Sequence, residues 1–297
     1  MTTDQVVGSV KELWRFPVKS MKGERLDQAE LTTHGIAGDR AYALVDLDTG
    51  KVVSAKSVRL FPGMLGCGAA FVEPPQPEGE LPPVRITLPD GTSATSDSGD
   101  AERVLSGFFR RDVRLAQVAP EDFTIDQYHP DIEDADPAGH RDTLVEAKLG
   151  SALFAQIGAP SPLPPGSFFD VFPVSVLTTS TMARLHELQP ASRFDARRFR
   201  MNLVVETADA GFVENGWLGR GLAIGGAARL AVALPDPRCV MTTLAQDDLP
   251  GDTEVLRALV RHNRLELGPM GHYPCAGVYA VVATPGTIRT GDRAAIA

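Results

Sequence analysis

The 297-residue sequence predicts a mainly β protein with a few helices, an α+β chain built as two β-barrel-like domains with a cleft between them. Three observations predict it. Short runs rich in β-branched residues recur along the chain and end at turn residues. The 28 glycines and 23 prolines are scattered, which suits short strands joined by turns. Only three segments carry helical spacing, and no glycine-rich loop opens any of them, so no nucleotide-binding fingerprint is written here.

Val6 to Trp14 mixes β-branched and polar residues and reads as the first strand, which stops at Pro17. Ala41 to Asp46 and Lys51 to Ala55 flank Leu47-Asp48-Thr49-Gly50 and read as a hairpin. Glu73 to Pro83 is too rich in proline for a regular element and reads as a surface loop. Val84 to Leu88 is a strand before the turn Pro89-Asp90-Gly91. Asp97 to Asp100 starts a short helix that runs through Phe109. Residues 118–142 are acidic and irregular, and are expected to connect a domain at 1–117 to a domain at 143–297.

Beyond them, Phe172 to Leu177 reads as a strand. Thr178 to Leu188 is a capped helix with Met182, Leu185 and Leu188 at helical spacing. Phe199 to Glu206, Leu222 to Ile224, Ala228 to Ala233 and Ala276 to Ala283 read as strands. Thr253 to Asn263 is a further helix, and Gly286 to Asp292 a tight terminal turn.

Composition excludes several classes. Hydrophobic residues make up 43% and charged residues 23%, which is incompatible with a largely disordered chain. The net charge of −9 disfavours nucleic acid and anionic membrane as partners. No apolar run is long enough to span a bilayer, and the segment from Met1 to Val7 has no signal-peptide character. Cys67, Cys239 and Cys275 form no CxxC pair, so neither a zinc ribbon nor a cysteine-ligated iron–sulfur cluster is expected, and the setting expected is a reduced cytoplasm. His129, Asp131, Asp134, Asp136 and His140 follow no recognised ligand spacing and read as a solvated acidic loop.

Three segments offer chemistry. In Pro235-Asp-Pro-Arg-Cys239, a proline-fixed turn presents a thiol beside Arg238, which favours the thiolate, a soft ligand for a transition metal. Cys67 and Cys275 have apolar neighbours and read as structural. In Phe199-Arg200-Met201-Asn202-Leu203-Val204-Val205, strand alternation puts Phe199, Met201, Leu203 and Val205 on one face and Arg200 with Asn202 on the other. A guanidinium beside a carboxamide suits an anionic ligand, or else a rim salt bridge. Lys19-Ser20, just past Pro17, and Arg40, after Gly35-Ile-Ala-Gly38, together suit a phosphate, or else are two solvated loops.

In their order along the chain, five motifs resemble the MOSC superfamily, in the branch with an N-terminal β-barrel domain that includes amidoxime-reducing components and bacterial reductases of N-hydroxylated bases. They are Phe16 to Gly23, Gly38-Asp39-Arg40, Phe199-Arg200-Met201-Asn202, Arg238-Cys239-Val240-Met241-Thr242-Thr243, and Gly277-Val-Tyr279 with Pro285 to Asp292. The resemblance implies a molybdenum cofactor, molybdopterin with its metal, in the cleft between the two domains. It implies Cys239 as thiolate on the metal, Lys19, Ser20 and Arg40 on the phosphate, and Arg200 and Asn202 on pterin or phosphate. Lys56 and Arg59, in a segment that departs from the family's usual Ala-Arg-Gln, are expected to assist the phosphate, with Arg238 beside the thiolate. Met201 stands where the family usually has proline. The activity implied is reduction of N-hydroxylated bases, amidoximes or hydroxylamines to the amine, with electrons from a separate ferredoxin or flavin reductase type of protein. Asp236 and Asp39 are the candidate proton donors. A carrier that binds the cofactor without turnover uses the same residues. A cysteine hydrolase would need a histidine beside Cys239, for which His272 is the candidate.

Overall fold

In the computed structural model, which describes residues 4–297, the largest unit is a closed ring of seven strands among those residues. The segment Met1 to Thr3, part of the N-terminal reading above, lies outside the described residues. Val174–Thr178 pairs in parallel with Leu203–Thr207, which runs antiparallel to Gln5–Arg15. From there the ring passes through Arg293–Ile296, Gly221–Ile224, Ala228–Pro237 and His272–Thr284. His272–Thr284 pairs back onto Val174–Thr178 and closes the barrel, leaving no open edge. Its interior is filled by branched side chains, among them Leu13, Val176, Leu203, Val205, Leu230 and Val278.

A second core lies in the residues after the first strand, around Val18, Leu44, Met64, Cys67, Ile86 and Leu105. Gly68–Phe71, Val84–Thr87 and Ser93–Thr95 form its three-stranded sheet. Val84 and Ile86 face inward while Arg85 faces water, the period of two that a half-buried strand requires. The helix Ala101–Phe109 closes this core with Leu105 and Phe109.

Two further helices pack outside the barrel. Thr179–Leu188 starts where the Thr178 hydroxyl oxygen accepts a hydrogen bond from the Thr181 amide. Glu254–His262 buries Val255, Leu256, Ala258 and Leu259, one stripe at helical spacing. The stripe packs with Leu185, Phe199 and Met201. Gly277 (φ 81°) makes this contact possible, because a Cβ there would lie 2.3 Å from Met201 Cε and 2.5 Å from the Val176 carbonyl oxygen.

The structure corrects four local expectations. Phe199 to Glu206 is not one strand: Ala196–Phe199 is a helical turn capped by Asp195, Arg200 is left-handed (φ 55°), and the strand is Leu203–Thr207. Phe199 and Met201 therefore join the helix core, while Leu203 and Val205 enter the barrel. Residues 118–142 are not irregular throughout, since Thr124–His129 pairs with Thr143–Lys148. The acidic composition masks a strand that starts at the buried pair Thr124 and Ile125. Ala43–Asp46 pairs along its length with Val113–Ala116, a partner far along the chain, and the expected hairpin forms only near its turn, where Val45 bridges Val52, the Asp46 amide donates to the Lys51 carbonyl and the Val53 amide to the Leu44 carbonyl. The 51–55 segment turns inward, where Val52, Val53, Ser54 and Ala55 are buried. Gly286–Arg289 is a strand on Gln28–Thr32 rather than part of a tight turn.

Candidate functional site

A cavity of about 730 Å³ is lined by residues that follow the first strand and by residues of the barrel and its outer helices. Lys19, Ser20, Arg40, Lys56, Arg200, Asn202, Arg238 and Cys239 all line it, although they come from five separate segments. Arg59 does not. It pairs with Asp142 on the surface and stacks over Tyr128.

The innermost wall is cationic. Lys19 Nζ donates to the Phe168 carbonyl at 3.0 Å and to Asp170 Oδ1, and Lys56 Nζ donates to Asp170 Oδ2 at 2.7 Å. Burial opposes the ionised form of Asp170, but Lys19 and Lys56 outweigh it and hold the carboxyl well below the usual carboxylate range. Burial pushes Lys19 down to about 8 against the attraction of Asp170. Burial also works against charge on Lys56, yet Asp170 and then Cys239 outweigh it and raise this ammonium. The carboxylate thus bridges two lysines, and Ser20, itself left-handed (φ 64°), places its hydroxyl 3.4 Å from that of Ser54 nearby.

Arg40 and Arg200 each lie over the Phe16 ring, 4.4 Å from its centroid. Arg40 donates to Asp39 and to the Arg200 carbonyl, and Arg200 to the Met21 carbonyl at 2.7 Å. Burial and then Arg40 press Arg200 down to about 9. Asn202 uses its whole carboxamide within the protein: Nδ2 donates to Asp39 at 2.9 Å and to the Trp14 carbonyl, and Oδ1 accepts from the Ser175 amide and hydroxyl. It fixes Asp39, and through Asp39 it fixes Arg40. Asp39 also accepts from the Phe16 amide at 2.7 Å, which commits it to this framework.

Cys239 is half-buried in extended conformation, at the start of the 3-10 turn Val240–Thr243. Arg238 anchors the turn by donating to the carbonyls of Ala276 and Phe199 and to Met201 Sδ at 3.0 Å. It also pairs with buried Asp236, whose Oδ1 has no hydrogen-bond partner. Burial raises Asp236 to about 6, against Arg238 and a hydrogen bond from Tyr279. The other two cysteines differ. Cys67 and Cys275 are fully buried, their thiols donate to the carbonyls of Gly63 and Tyr273, and burial pushes them up to about 11 and about 12.

A further part of the cavity wall comes from the Thr124–His129 hairpin. His129, Asp136 and His140 lie together there, whereas Asp131 and Asp134 pair outward with Arg141 and Arg264. The solvated-loop reading of this segment therefore holds for two of its carboxylates and fails for Asp136. Exposed His272 pairs along a strand edge with Glu266 and is outside the cavity lining. Among the described residues no histidine hydrogen-bonds to Cys239, so the hydrolase arrangement is not formed. Asp170 is the residue that sequence reasoning missed. Its one signal is a lone acid in the apolar stretch Phe168-Phe169-Asp170-Val171-Phe172.

A closed barrel joined to a second β unit, with a cavity lined by cations and by one cysteine, defines a two-unit β protein with a cationic cavity. Comparison gives the family. Residues 7–103 match the MOSC N-terminal beta barrel domain and residues 165–295 the MOSC domain, and the chain belongs to the MOSC-domain proteins with this N-terminal barrel. It is 24% identical to mitochondrial amidoxime-reducing component 1 of Mus musculus, over 97% of this chain and 82% of that protein. It is 25% identical to mitochondrial amidoxime reducing component 2 of Bos taurus, over 97% and 83%. The solved YUAD protein from Bacillus subtilis aligns over 97% of this chain and 94% of its own, with a TM-score of 0.43 and 12% identity. Among the described residues no helix is long and apolar enough to cross a membrane.

Proposed function

We propose that the protein is a molybdenum-cofactor-dependent oxidoreductase that reduces N-hydroxylated bases, amidoximes or hydroxylamines to the amine, taking electrons from a separate ferredoxin or flavin reductase type of protein. The observation that carries this reading is the half-buried Cys239 thiol in a cavity lined by Lys19, Lys56, Arg40 and Arg200. The names of the curated relatives supply the substrate class.

The residues fit such a group. Four cations face two carboxylates, the bridging Asp170 and the Asp39 that pairs with Arg40, so the inner wall carries surplus positive charge for a phosphate. The orphaned Asp236 Oδ1 leaves a polar atom for a ligand or a proton beside the cysteine turn. When bound, the cofactor supplies two-electron chemistry at a thiolate-ligated metal. Lys19, Lys56, Ser20 and Arg40 would hold its phosphate and Arg200 its polar edge. Asn202 and Asp39 keep Arg40 in place, and Arg238 keeps the Cys239 turn in place. Below about pH 6, Asp236 holds a proton at the edge of the site.

The test compares three cysteine variants made in a host that synthesises molybdopterin. Molybdenum content and the reduction of an amidoxime by an artificial electron donor are measured. Wild type, Cys67→Ser and Cys275→Ser are expected to carry one metal per chain and to turn over. Cys239→Ser is expected to lose about a hundredfold or more in rate. Full activity in Cys239→Ser would overturn the reading, and stoichiometric metal without turnover in the wild type would identify a carrier.

A further inference from the structure

The hairpin wall of the cavity holds a side-chain cluster that the proposed cofactor chemistry does not use. His129 ends the strand Thr124–His129, and Asp136 and His140 lie in the loop that follows. One carboxylate oxygen, Asp136 Oδ2, lies 2.6 Å from His129 Nδ1 and 3.2 Å from His140 Nδ1. Among the described residues this is the one group of three His, Cys, Asp or Glu side chains whose donor atoms all lie within 4.8 Å of one another.

Three features make it more than a chance contact. First, Asp136 is buried, with 8% of its side chain exposed, and among the described residues no lysine or arginine pairs with it. A buried carboxylate whose side-chain partners are imidazoles has no permanent cation beside it, and a bound metal ion would supply one. Second, the loop is pinned before any ligand arrives: Ile132 and Ala135 pack on Leu256 and Val260 of the helix Glu254–His262. Third, the side-chain amide of Gln127 lies 3.3 Å from His129 Nε2, an outer partner of the kind that fixes ring orientation in metal sites.

We propose that His129, Asp136 and His140 form a binding site for a divalent transition metal of the zinc class. Two imidazole nitrogens with one carboxylate favour such an ion over magnesium or calcium, which take oxygen ligands. Bonds of about 2.0–2.2 Å place tetrahedral ligand atoms about 3.3 Å apart, so the His140–Asp136 separation of 3.2 Å already suits a shared ion and the 2.6 Å His129–Asp136 contact needs to open by about 0.7 Å. Three protein ligands leave a position free, and all three residues line the cavity. The site is independent of the function proposed above.

The experiment titrates chelator-treated full-length protein with zinc chloride by calorimetry, and with cobalt(II) by visible absorption. One zinc per chain is expected, with no uptake of magnesium at the same concentration. Cobalt should give d–d bands without thiolate charge transfer. His140→Gln and Asp136→Asn should each weaken zinc by more than the roughly 10–100-fold that loss of an outer partner costs. Cys239→Ser should bind zinc as the wild type does. Absence of stoichiometric zinc binding overturns the proposal and leaves a hydrogen-bonded cluster. So does binding that survives in both His140→Gln and Asp136→Asn, or that disappears in Cys239→Ser.

Discussion

Asp170 and Asp136 are carboxylates on two walls of one cavity, and their partners differ in kind. Asp170 is bridged by two ammonium groups, Lys19 and Lys56, and further permanent cations, Arg40 and Arg200, stand on the same wall. Asp136 has two imidazoles and no permanent cation among the described residues. A carboxylate set among surplus cations is a fixed part of the frame and leaves the wall attractive to a second anion. One set between two imidazoles, with no permanent cation beside it, leaves the wall attractive to a cation. The same residue type thus prepares two walls for ligands of opposite sign.

The largest test of this contrast is Asp170→Asn. It leaves two buried lysines facing each other, and the loss expected in denaturant unfolding of cofactor-free protein is about 3 kcal/mol. The pH dependence follows the same pair. Asp170 is depressed in the folded chain, so its contribution is present above the unfolded value of about 3.9 and is lost as the pH falls below it. The variant is expected to show a shallower acid limb, and an unchanged limb would break the comparison.

A middle-sized effect is expected from pyrophosphate on the cofactor-free protein. If the inner wall is an anion cradle, a concentration ten times the dissociation constant raises stability by about 1.4 kcal/mol. Lys56→Ala should abolish that gain while Asp136→Asn keeps it. An equal response from both variants would mean that the walls are not electrostatically distinct.

The smallest effect is expected from Asp136→Asn itself in metal-free protein. The amide oxygen can still accept from one imidazole, so the loss in a thermal melt should be about 1 kcal/mol. A loss as large as that of Asp170→Asn would show that Asp136 carries a frame role too.

The legible parts of this molecule are those whose chemistry is contiguous in sequence. The turn before Cys239, the Lys19-Ser20 pair and Arg40 after its glycine turn could each be recognised from a few neighbouring residues, and the structure places them on one cavity. Arg200 and Asn202 also reach it, but through a left-handed residue after a helical turn rather than through strand alternation. Asp170 was not legible, because its meaning comes from Lys19 and Lys56, which are 151 and 114 positions away in sequence. The His129 cluster depends on a hairpin whose strands are hidden in an acidic stretch. Arg59 shows the converse: a cation near Lys56 in sequence is drawn away by Asp142 and Tyr128.

The strand Gln5–Arg15 sits in the ring between Leu203–Thr207 and Arg293–Ile296. Synthesis therefore delivers one stave of the barrel long before both of its neighbours. A nascent chain carries Lys19 and Arg40 early, Cys239 late, and Arg293–Ile296 later still. Pairings of such long range form slowly, and the ring is complete only after residues 293–296 have left the ribosome. A chain stopped short of residue 293 would hold an unpaired edge on the strand Gln5–Arg15 in place of a closed barrel.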